Sequence, residues 1–246
     1  MSGSHKVAIV AALEREVKPL VRDWRVTRQQ HDGRTFKFFE NDRAVLVCGG
    51  MGAESARRAT EAVIALYQPA LVTSVGFAGA LDRELKVGGL FSPRRVIDAR
   101  DGSSVDTGIG AGVLVSSPAV ADPAQKARLA ASFGAQAVDM EAAAVARGAQ
   151  ARGVRFTALK AISDESSFPM PAMEGFIGPD GQFLTGKFAR FAAVRPWLWV
   201  TVITLARNSS KASNSLCCWL DQFNHAPEMV AGRTPGWHPA TRGKHS

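Results

Sequence analysis

The sequence predicts an α/β fold with three α/β/α layers, in which a mixed, mostly parallel sheet forms the central layer. Short apolar runs typical of buried strands alternate along the chain with longer segments typical of helices. Glycine clusters and single polar residues follow several of these runs, as they do where strands end in such folds. The 246 residues suffice for one large domain, which we place at residues 1–222.

The elements of the first third follow from apolar runs and the turn residues between them. An apolar run without breakers predicts the first strand, the acids after it open a helix, and Asn-Asp between two β-rich runs predicts a hairpin. One glycine cluster then precedes a helical pattern, and a second follows the next apolar run. In chain order we expect strand Val7–Leu13, helix Glu14–Trp24, hairpin strands Arg34–Glu40 and Arg43–Cys48, helix Ala53–Tyr67 and strand Leu71–Val75.

The middle of the chain continues the alternation. Apolar runs rich in Val and Ile predict strands, and proline or acid at the start of an alanine-rich run predicts a helix. We expect strands Leu90–Ile97 and Gly112–Ser116, helix Pro123–Phe133, strand Ala135–Val138, helix Glu141–Arg152 and strand Phe156–Ile162.

Beyond the last strand the pattern becomes irregular. Residues Phe168–Lys187 are rich in Pro and Gly and predict a loop or lid. Apolar residues then recur at helical spacing over Trp197–Leu220. Residues 223–246 show no periodicity and are expected to form a disordered basic tail.

Composition restricts the class of protein and its location. A hydrophobic share of 46% and a charged share of 21% are typical of a globular domain. Three cysteines, two of them adjacent, cannot form a disulfide framework, so we expect a reducing, cytoplasmic location. The run Val7–Leu13 is too short for an export signal, and no run reaches the about 18 residues of a membrane span. No cysteine or histidine spacing suggests a metal, and no glycine cluster completes a dinucleotide fingerprint, so no cofactor is expected.

The net charge of +8 is concentrated at the carboxyl end. Residues 187–246 hold 8 of the 30 basic residues and 2 of the 22 acidic ones, so the rest of the chain is almost neutral. We therefore expect no nucleic-acid partner. The basic end, with the Trp-rich start of Trp197–Leu220, can contact a membrane surface, or it can be a solvated tail behind a core-packed helix.

Two carboxylates stand where strands are expected to end. Ser163 and Asp164 close a buried apolar run, and Met140 and Glu141 interrupt a run of small residues. Ligands of α/β proteins bind beyond the carboxyl ends of strands, where an acid in a partly desolvated cleft can donate a proton. Each acid can also be a helix-start charge or an N-cap.

Further candidates flank other strands. Glu16, after the first strand, can activate water, although acids are also common in the first turn of a helix. Gly50 and Gly52 precede a helix, and the segment Gly76-Phe77-Ala78-Gly79 follows a strand, where small residues let a ligand approach the backbone. Plain tight turns explain these glycines equally well.

These motifs together resemble the nucleoside phosphorylase/nucleosidase family, most closely its 5′-methylthioadenosine/S-adenosylhomocysteine nucleosidases. The matching blocks follow in family order and cover residues 7 to about 164. They are Ala12–Val17, Gly49–Gly52, Gly76–Gly79 with Leu85–Gly88, Val138–Ala144 and Ala161–Asp164. Arg195–Trp199 and Leu205–Ser210 also resemble the hopanoid-associated branch, which is associated with adenine removal from an adenosyl-hopanoid precursor.

The resemblance implies a reaction and a role for each residue. Asp164, helped by Ser163, would protonate purine N7, and Glu16 would activate the attacking water. Glu141 would bind ribose hydroxyls while Met140 packs against the sugar. The resemblance also implies a homodimer. Water and phosphate remain alternative nucleophiles, but Ser74 stands where many related phosphorylases have an arginine, which favours water.

Departures from the family pattern leave the substrate open. Residues Val115–Val120 replace a segment that usually carries a base-stacking aromatic residue. This change argues against a small methylthio substrate, and the long loop Phe168–Lys187 with the helix that carries Trp197 and Trp199 fits a bulkier, apolar 5′ substituent. The change is also compatible with a protein that binds nucleosides without cleaving them.

Overall fold

A computed structural model describes residues 6–171 and 173–225, and it contains a central mixed sheet with helices on both faces. The strands are β1 Val7–Ala11, β2 Arg25–His31, β3 Arg34–Glu40, β4 Ala44–Cys48, β5 Leu71–Ala80, β6 Leu90–Phe91, β7 Arg95–Asp98, β8 Ser104–Asp106, β9 Val113–Ser116, β10 Ala137–Asp139 and β11 Arg155–Asp164. The helices are α1 Glu14–Val21, α2 Ala53–Tyr67, α3 Pro123–Phe133, α4 Ala142–Gln150, α5 Thr185–Ala193 and α6 Trp199–His225, with short 3-10 turns at Glu174–Phe176 and Pro196–Leu198.

The three layers follow from the two-residue period of the central strands. In β1, Ala8 and Val10 face a core shared with α2 and α4, whereas Ile9 and Ala11 face a core shared with α1 and α6. Because successive side chains of a strand point to opposite faces, an apolar run without alternation is buried on both sides. The predicted α/β/α arrangement is therefore confirmed.

Strand β5 organises the centre of the sheet. It pairs in parallel with β1 and with β11, and its last residues pair antiparallel with β10. The carboxyl ends of β1, β5 and β11 consequently point toward one edge of the sheet. Strand β10 runs in the opposite direction, and its residue Val138 lies beside Gly79, near the end of β5. Antiparallel pairs, including the predicted β3–β4 hairpin, lie mostly toward the margins.

The predicted strand Leu90–Ile97 is wrong as a single element. Residues 92–94 separate β6, which pairs with β11, from β7, which pairs with β9. Pro93 lacks a donor for a sheet ladder, which is a physical reason for the break. The prediction also missed β2 and β8, because their polar sequences carry little apolar alternation.

The carboxyl-terminal elements extend beyond their predicted limits. Helix α5 begins inside the predicted loop Phe168–Lys187, and α6 continues to His225, past the predicted domain end at residue 222. Residues 226–246 of the predicted tail lie outside the described part of the chain. Within the described part, no single helix is long and apolar enough to cross a membrane; α5 and the segment Pro196–Gln222 pass that test only as a pair bent by 115°.

Candidate active site

A cavity of about 1020 Å³ opens at the edge of the sheet where β1, β5, β10 and β11 end. Its volume is slightly above the range of about 300–1,000 Å³ for small-molecule sites. Eight of the ten site residues predicted from the sequence line it: Glu16, Phe77, Ala78, Gly79, Met140, Glu141, Ser163 and Asp164.

Asp164, the last residue of β11, is buried in the cavity wall with 3% of its surface exposed. Ser163 Oγ donates a hydrogen bond to its Oδ1 at 2.7 Å, and Lys126 Nζ donates to its Oδ2. The same ammonium donates to the main-chain oxygen of Glu165 at 2.7 Å. Both carboxylate oxygens therefore accept hydrogen bonds, one of them from a cation that balances the charge.

Glu16, in the first turn of α1, is the second acid of the cavity. It is buried, with 5% of its surface exposed, and its Oε2 accepts a hydrogen bond from the Leu13 amide at 3.5 Å. Burial, followed by the negative charge of Glu141, raises the pKa of Glu16 to about 7, against the opposing charge of Lys160. A carboxylate with a pKa near neutrality is suited to accept a proton from water.

Glu141 precedes α4 and completes the group of acids. Its Oε1 accepts a hydrogen bond from the Gly52 amide at 2.7 Å, and its Oε2 accepts one from the Met140 amide at 3.3 Å. Burial, followed by the charge of Asp139, raises the pKa of Glu141 to about 7. Amide donors hold both oxygens while the carboxylate faces the cavity, which suits it to accept hydrogen bonds from hydroxyl groups.

Two glycines of β5 provide the space that the two acids occupy. A Cβ atom added at Gly76 would lie 2.8 Å from Glu16 Oε2, and one added at Gly79 would lie 2.9 Å from Asp164 Oδ2. Carbon and oxygen atoms do not approach this closely without displacement. The glycines expected to let a ligand approach the backbone therefore accommodate, at these two positions, the carboxylates themselves.

A buried ion pair lies beneath the acids. Lys160 Nζ is 2.8 Å from Asp139 Oδ2, and the two side chains are 1% and 0% exposed. Lys160 also donates to Ser74 Oγ at 3.0 Å. Its positive charge lowers the pKa of both Glu16 and Glu141, against the larger effect of burial. Lys160 thus partly balances the negative charge beside the cavity.

Gly50 and Gly52, also predicted to bind substrate, are not among the described residues that line the cavity. Gly52 supplies the amide that holds Glu141. A Cβ atom at Gly50 would lie 2.5 Å from the main-chain oxygen of Asp180, so this glycine packs against the loop before α5. Gly52 therefore affects the site through Glu141, and Gly50 through the loop before α5.

One wall of the cavity is apolar. It is formed by the segment between β11 and α5, by α5 itself and by the first half of α6. The side chains that contribute to it include Met170, Met173, Phe183, Phe188, Val202 and Leu205.

Two lysines of the site, Lys126 and Lys160, were not predicted from the sequence. Lys160 carried a signal, since a lysine inside the apolar run of β11 needs a buried anion. Lys126 carried none, because a lysine in an amphipathic helix is ordinarily solvated. Within the described part of the chain, no group of three or more His, Cys, Asp and Glu side chains could hold a metal ion.

The raised pKa of Glu16 predicts a pH-dependent stability change in Glu16→Gln. The folded state holds this proton to about pH 7 and the unfolded chain only to about 4.5, so stability falls as pH rises through this window. At pH 8 the free energy of unfolding of the variant should exceed that of wild type by up to about 3 kcal/mol. At pH 4.5 the two free energies should be almost equal.

Urea unfolding at both pH values measures this effect. Glu14→Gln is the matched control, because Glu14 is exposed and pairs with Lys37 at 2.8 Å. If Glu16→Gln were equally stabilised at both pH values, or less stable than wild type at pH 8, the raised pKa of Glu16 would be contradicted.

Comparison with known proteins identifies related sequences and folds. The sequence model of a family described as the phosphorylase superfamily matches residues 6–125 and 110–171. No curated protein matches the chain. Among solved structures, the chain is similar to a 5′-methylthioadenosine/S-adenosylhomocysteine nucleosidase from Colwellia psychrerythraea in complex with adenine, with 24% identity and a TM-score of 0.59 over 68% of this chain and 86% of that one.

Two Helicobacter pylori structures match over more of the chain. A futalosine hydrolase has 18% identity and a TM-score of 0.66, and it covers 90% of this chain and 98% of its own. A 5′-methylthioadenosine/S-adenosylhomocysteine nucleosidase has 18% identity and a TM-score of 0.67, with 91% and 99% covered. At these identities the likeness establishes the fold.

Proposed function

The chain belongs to the phosphorylase superfamily, a family of enzymes, and on this premise we propose that it hydrolyses the N-glycosidic bond of an adenine-type purine nucleoside. The observation that carries the proposal is that Asp164, Glu16 and Glu141 meet at one cavity. The similar solved structures are named as nucleosidases and a futalosine hydrolase, which agrees with this class of reaction.

In the proposed reaction the purine leaves with the electron pair of its bond to the sugar. Asp164, supported by Ser163, delivers a proton to N7, so the base departs as a neutral molecule. The cation that develops on the sugar is stabilised by the anionic oxygens nearby. Glu141 accepts hydrogen bonds from the ribose hydroxyls, and Met140 packs against the ring. Glu16 takes a proton from the water that attacks the anomeric carbon.

Water is the proposed nucleophile, and phosphate is the alternative. A phosphate dianion requires a cationic partner, which an arginine supplies in many related phosphorylases. Here Ser74 stands at that position, and its hydroxyl accepts a hydrogen bond from Lys160. The charge of Lys160 is already balanced by Asp139, which supports hydrolysis over phosphorolysis.

We further propose that the substrate carries a large apolar 5′ substituent. The apolar wall formed by Met170, Phe188 and Leu205 faces the same cavity as the acids. A cavity of about 1020 Å³ exceeds what a nucleoside with a methylthio group would fill. An adenosyl-hopanoid precursor, which the carboxyl-terminal resemblance suggests, has a substituent of this kind.

A series of 5′-alkylthioadenosines tests the substrate proposal. The value of kcat/KM should rise from the methylthio to the octylthio compound, by about tenfold for each two buried methylene groups. Release of adenine is measured by liquid chromatography. Leu205→Asn should weaken the dependence on chain length, with Leu66→Asn, on the exposed side of α2, as the control. A kcat/KM that is flat or falls with chain length would refute the large apolar substituent.

The 3-10 turn Pro196–Leu198 and the start of α6 form the proposed contact with a membrane surface. Trp197 and Val200 are 72% and 76% exposed, and Ile203 is half exposed, whereas Leu216 and Leu220 farther along the segment are buried. One face of the second half of the predicted segment Trp197–Leu220 therefore packs in the core. A cytoplasmic enzyme that meets a lipidic substrate would use the first half as a peripheral contact.

Flotation with vesicles containing anionic lipid tests this contact. Wild type should float with the vesicles, and Trp197→Glu with Val200→Glu should lower the bound fraction at least tenfold. Ile109→Glu, at a half-exposed apolar residue of the loop between β8 and β9, is the matched control. Wild-type protein that stays wholly in the soluble fraction would dismiss the membrane contact.

The remaining partner proposal is a homodimer, as the family resemblance implies. Analytical ultracentrifugation at micromolar concentration should give a mass near twice the 26.2 kDa of the chain. A monomer mass over the whole concentration range would contradict it.

A further inference from the structure

Lys126 is the one buried residue of α3, the rest of which is partly or fully exposed. An ammonium group is costly to bury, and an apolar side chain of similar length would serve a packing role without that cost. Its Nζ atom contacts Asp164 and the main-chain oxygen of Glu165, and the side chain lines the cavity. The cation is therefore held against the proposed proton-donating group.

The hydrogen bonds of Asp164 raise the question of where its proton comes from. A carboxyl group that donates to a base must carry a hydrogen on one oxygen. Here Oδ1 accepts from Ser163, whose Oγ also lies 3.4 Å from the main-chain oxygen of Ala78, and Oδ2 accepts from Lys126, so each oxygen of Asp164 faces a donor. An ammonium group has only donors, and a hydroxyl is a much weaker acid, so the acidic hydrogen nearest to Asp164 belongs to Lys126.

We propose that Lys126 is the source of the proton that reaches the leaving base, and that Asp164 passes it on. This inference rests on the proposed function. As the bond between the anomeric carbon and N9 breaks and its electron pair moves into the base, the Nζ–H bond of Lys126 breaks and an O–H bond forms at Asp164 Oδ2. That O–H bond breaks in turn as the proton passes to N7, which leaves Asp164 as a carboxylate and Lys126 as a neutral amine. The amine regains a proton from solvent after the base leaves.

The packing around the pair supports a relay rather than a surface ion pair. The side chains of Lys126 and Asp164 are 2% and 5% exposed. At Gly79 an added Cβ atom would lie 3.1 Å from Lys126 Cε and 2.9 Å from Asp164 Oδ2, so β5 closes one side. The side chain of Glu165 points elsewhere and pairs with Lys86 at 3.5 Å. A desolvated, fixed pair allows proton transfer without rearrangement of water.

The test compares Lys126→Met and Lys126→Arg on two substrates. Adenine release from 5′-octylthioadenosine requires a proton, whereas 4-nitrophenyl β-D-ribofuranoside loses a stable anion that requires none. If Lys126 supplies the proton, both variants lose about 10²- to 10⁴-fold in kcat on the adenosine compound. On the nitrophenyl compound they lose much less. Arginine restores the charge but does not give up a proton, so it does not restore adenine release.

A double variant keeps the test valid if Lys126→Met folds poorly. Lys126→Met with Asp164→Asn leaves no unpaired buried charge, and its kcat should equal that of Asp164→Asn alone, because both residues serve one transfer. Restoration of adenine release by Lys126→Arg to within about tenfold of wild type would overturn the proposal. Losses that multiply in the double variant, or equal losses on both substrates, would do the same. A wild-type protein that cleaves neither substrate would instead overturn the proposed function.

Discussion

Replacement of Asp164 by asparagine is expected to abolish most base release. The side chain keeps its shape, and its Oδ1 can still accept a hydrogen bond, but it can no longer carry a proton to N7. General acid catalysis contributes about 10²- to 10⁴-fold, so kcat should fall by that factor while KM changes little.

Adenine release from 5′-octylthioadenosine measures the loss. Asp42→Asn, at an exposed aspartate of the β3–β4 turn, is the matched control and should keep wild-type activity. Thermal unfolding establishes that the variant is folded. Full turnover by folded Asp164→Asn would remove Asp164 from the reaction.

Replacement of Lys160 by methionine is expected to have the largest effect on stability. The change leaves Asp139 buried without its cation at 0% side-chain exposure. Removing one partner of a buried ion pair costs about 3–5 kcal/mol of unfolding free energy. The pKa of Glu16 and of Glu141 should rise further, because the charge that opposes the effect of burial is gone.

The two consequences of Lys160→Met can be separated experimentally. Urea unfolding at pH 8 gives the stability loss, and the pH dependence of kcat should shift to higher pH as Glu16 becomes harder to ionise. Lys160→Met with Asp139→Asn should recover part of the stability, since no unpaired charge remains. A variant as stable as wild type would show that Lys160 does not balance the buried acids.

The sequence indicated the layers of the fold because the central strands are apolar on both faces. In β1 and β11 this pattern requires helices on either side of the sheet, and the structure confirms it. The edge strands β2 and β8 lacked the pattern, since a polar edge strand differs little from a loop in composition. The break between β6 and β7 was not predicted, because Pro93 lies within a run that is otherwise typical of one strand.

The candidate site was predictable as far as its residues stand at the ends of strands. Glu16, Glu141 and Asp164 each follow or close an apolar run. The parallel pairing of β1 and β11 with β5 brings the strand ends at Glu16 and Asp164 to one edge. Glu141 reaches the same cavity from β10, which is antiparallel to β5. Lys126 belongs to a helix, and only the tertiary packing of α3 against the end of β11 brings it to Asp164. Val200 and Ile203 of α6 are exposed whereas Leu216 and Leu220 are buried, although all four are apolar, so the sequence could not separate them.

Cleavage in water enriched in oxygen-18, with and without inorganic phosphate, tests the central proposal most directly. Mass spectrometry of the products from 5′-octylthioadenosine identifies both the base and the oxygen that reaches the sugar. The account predicts free adenine and a 5-substituted ribose with one oxygen-18 atom, at a rate that phosphate does not change. A ribose 1-phosphate product, or bound nucleoside that stays intact for hours, would contradict it.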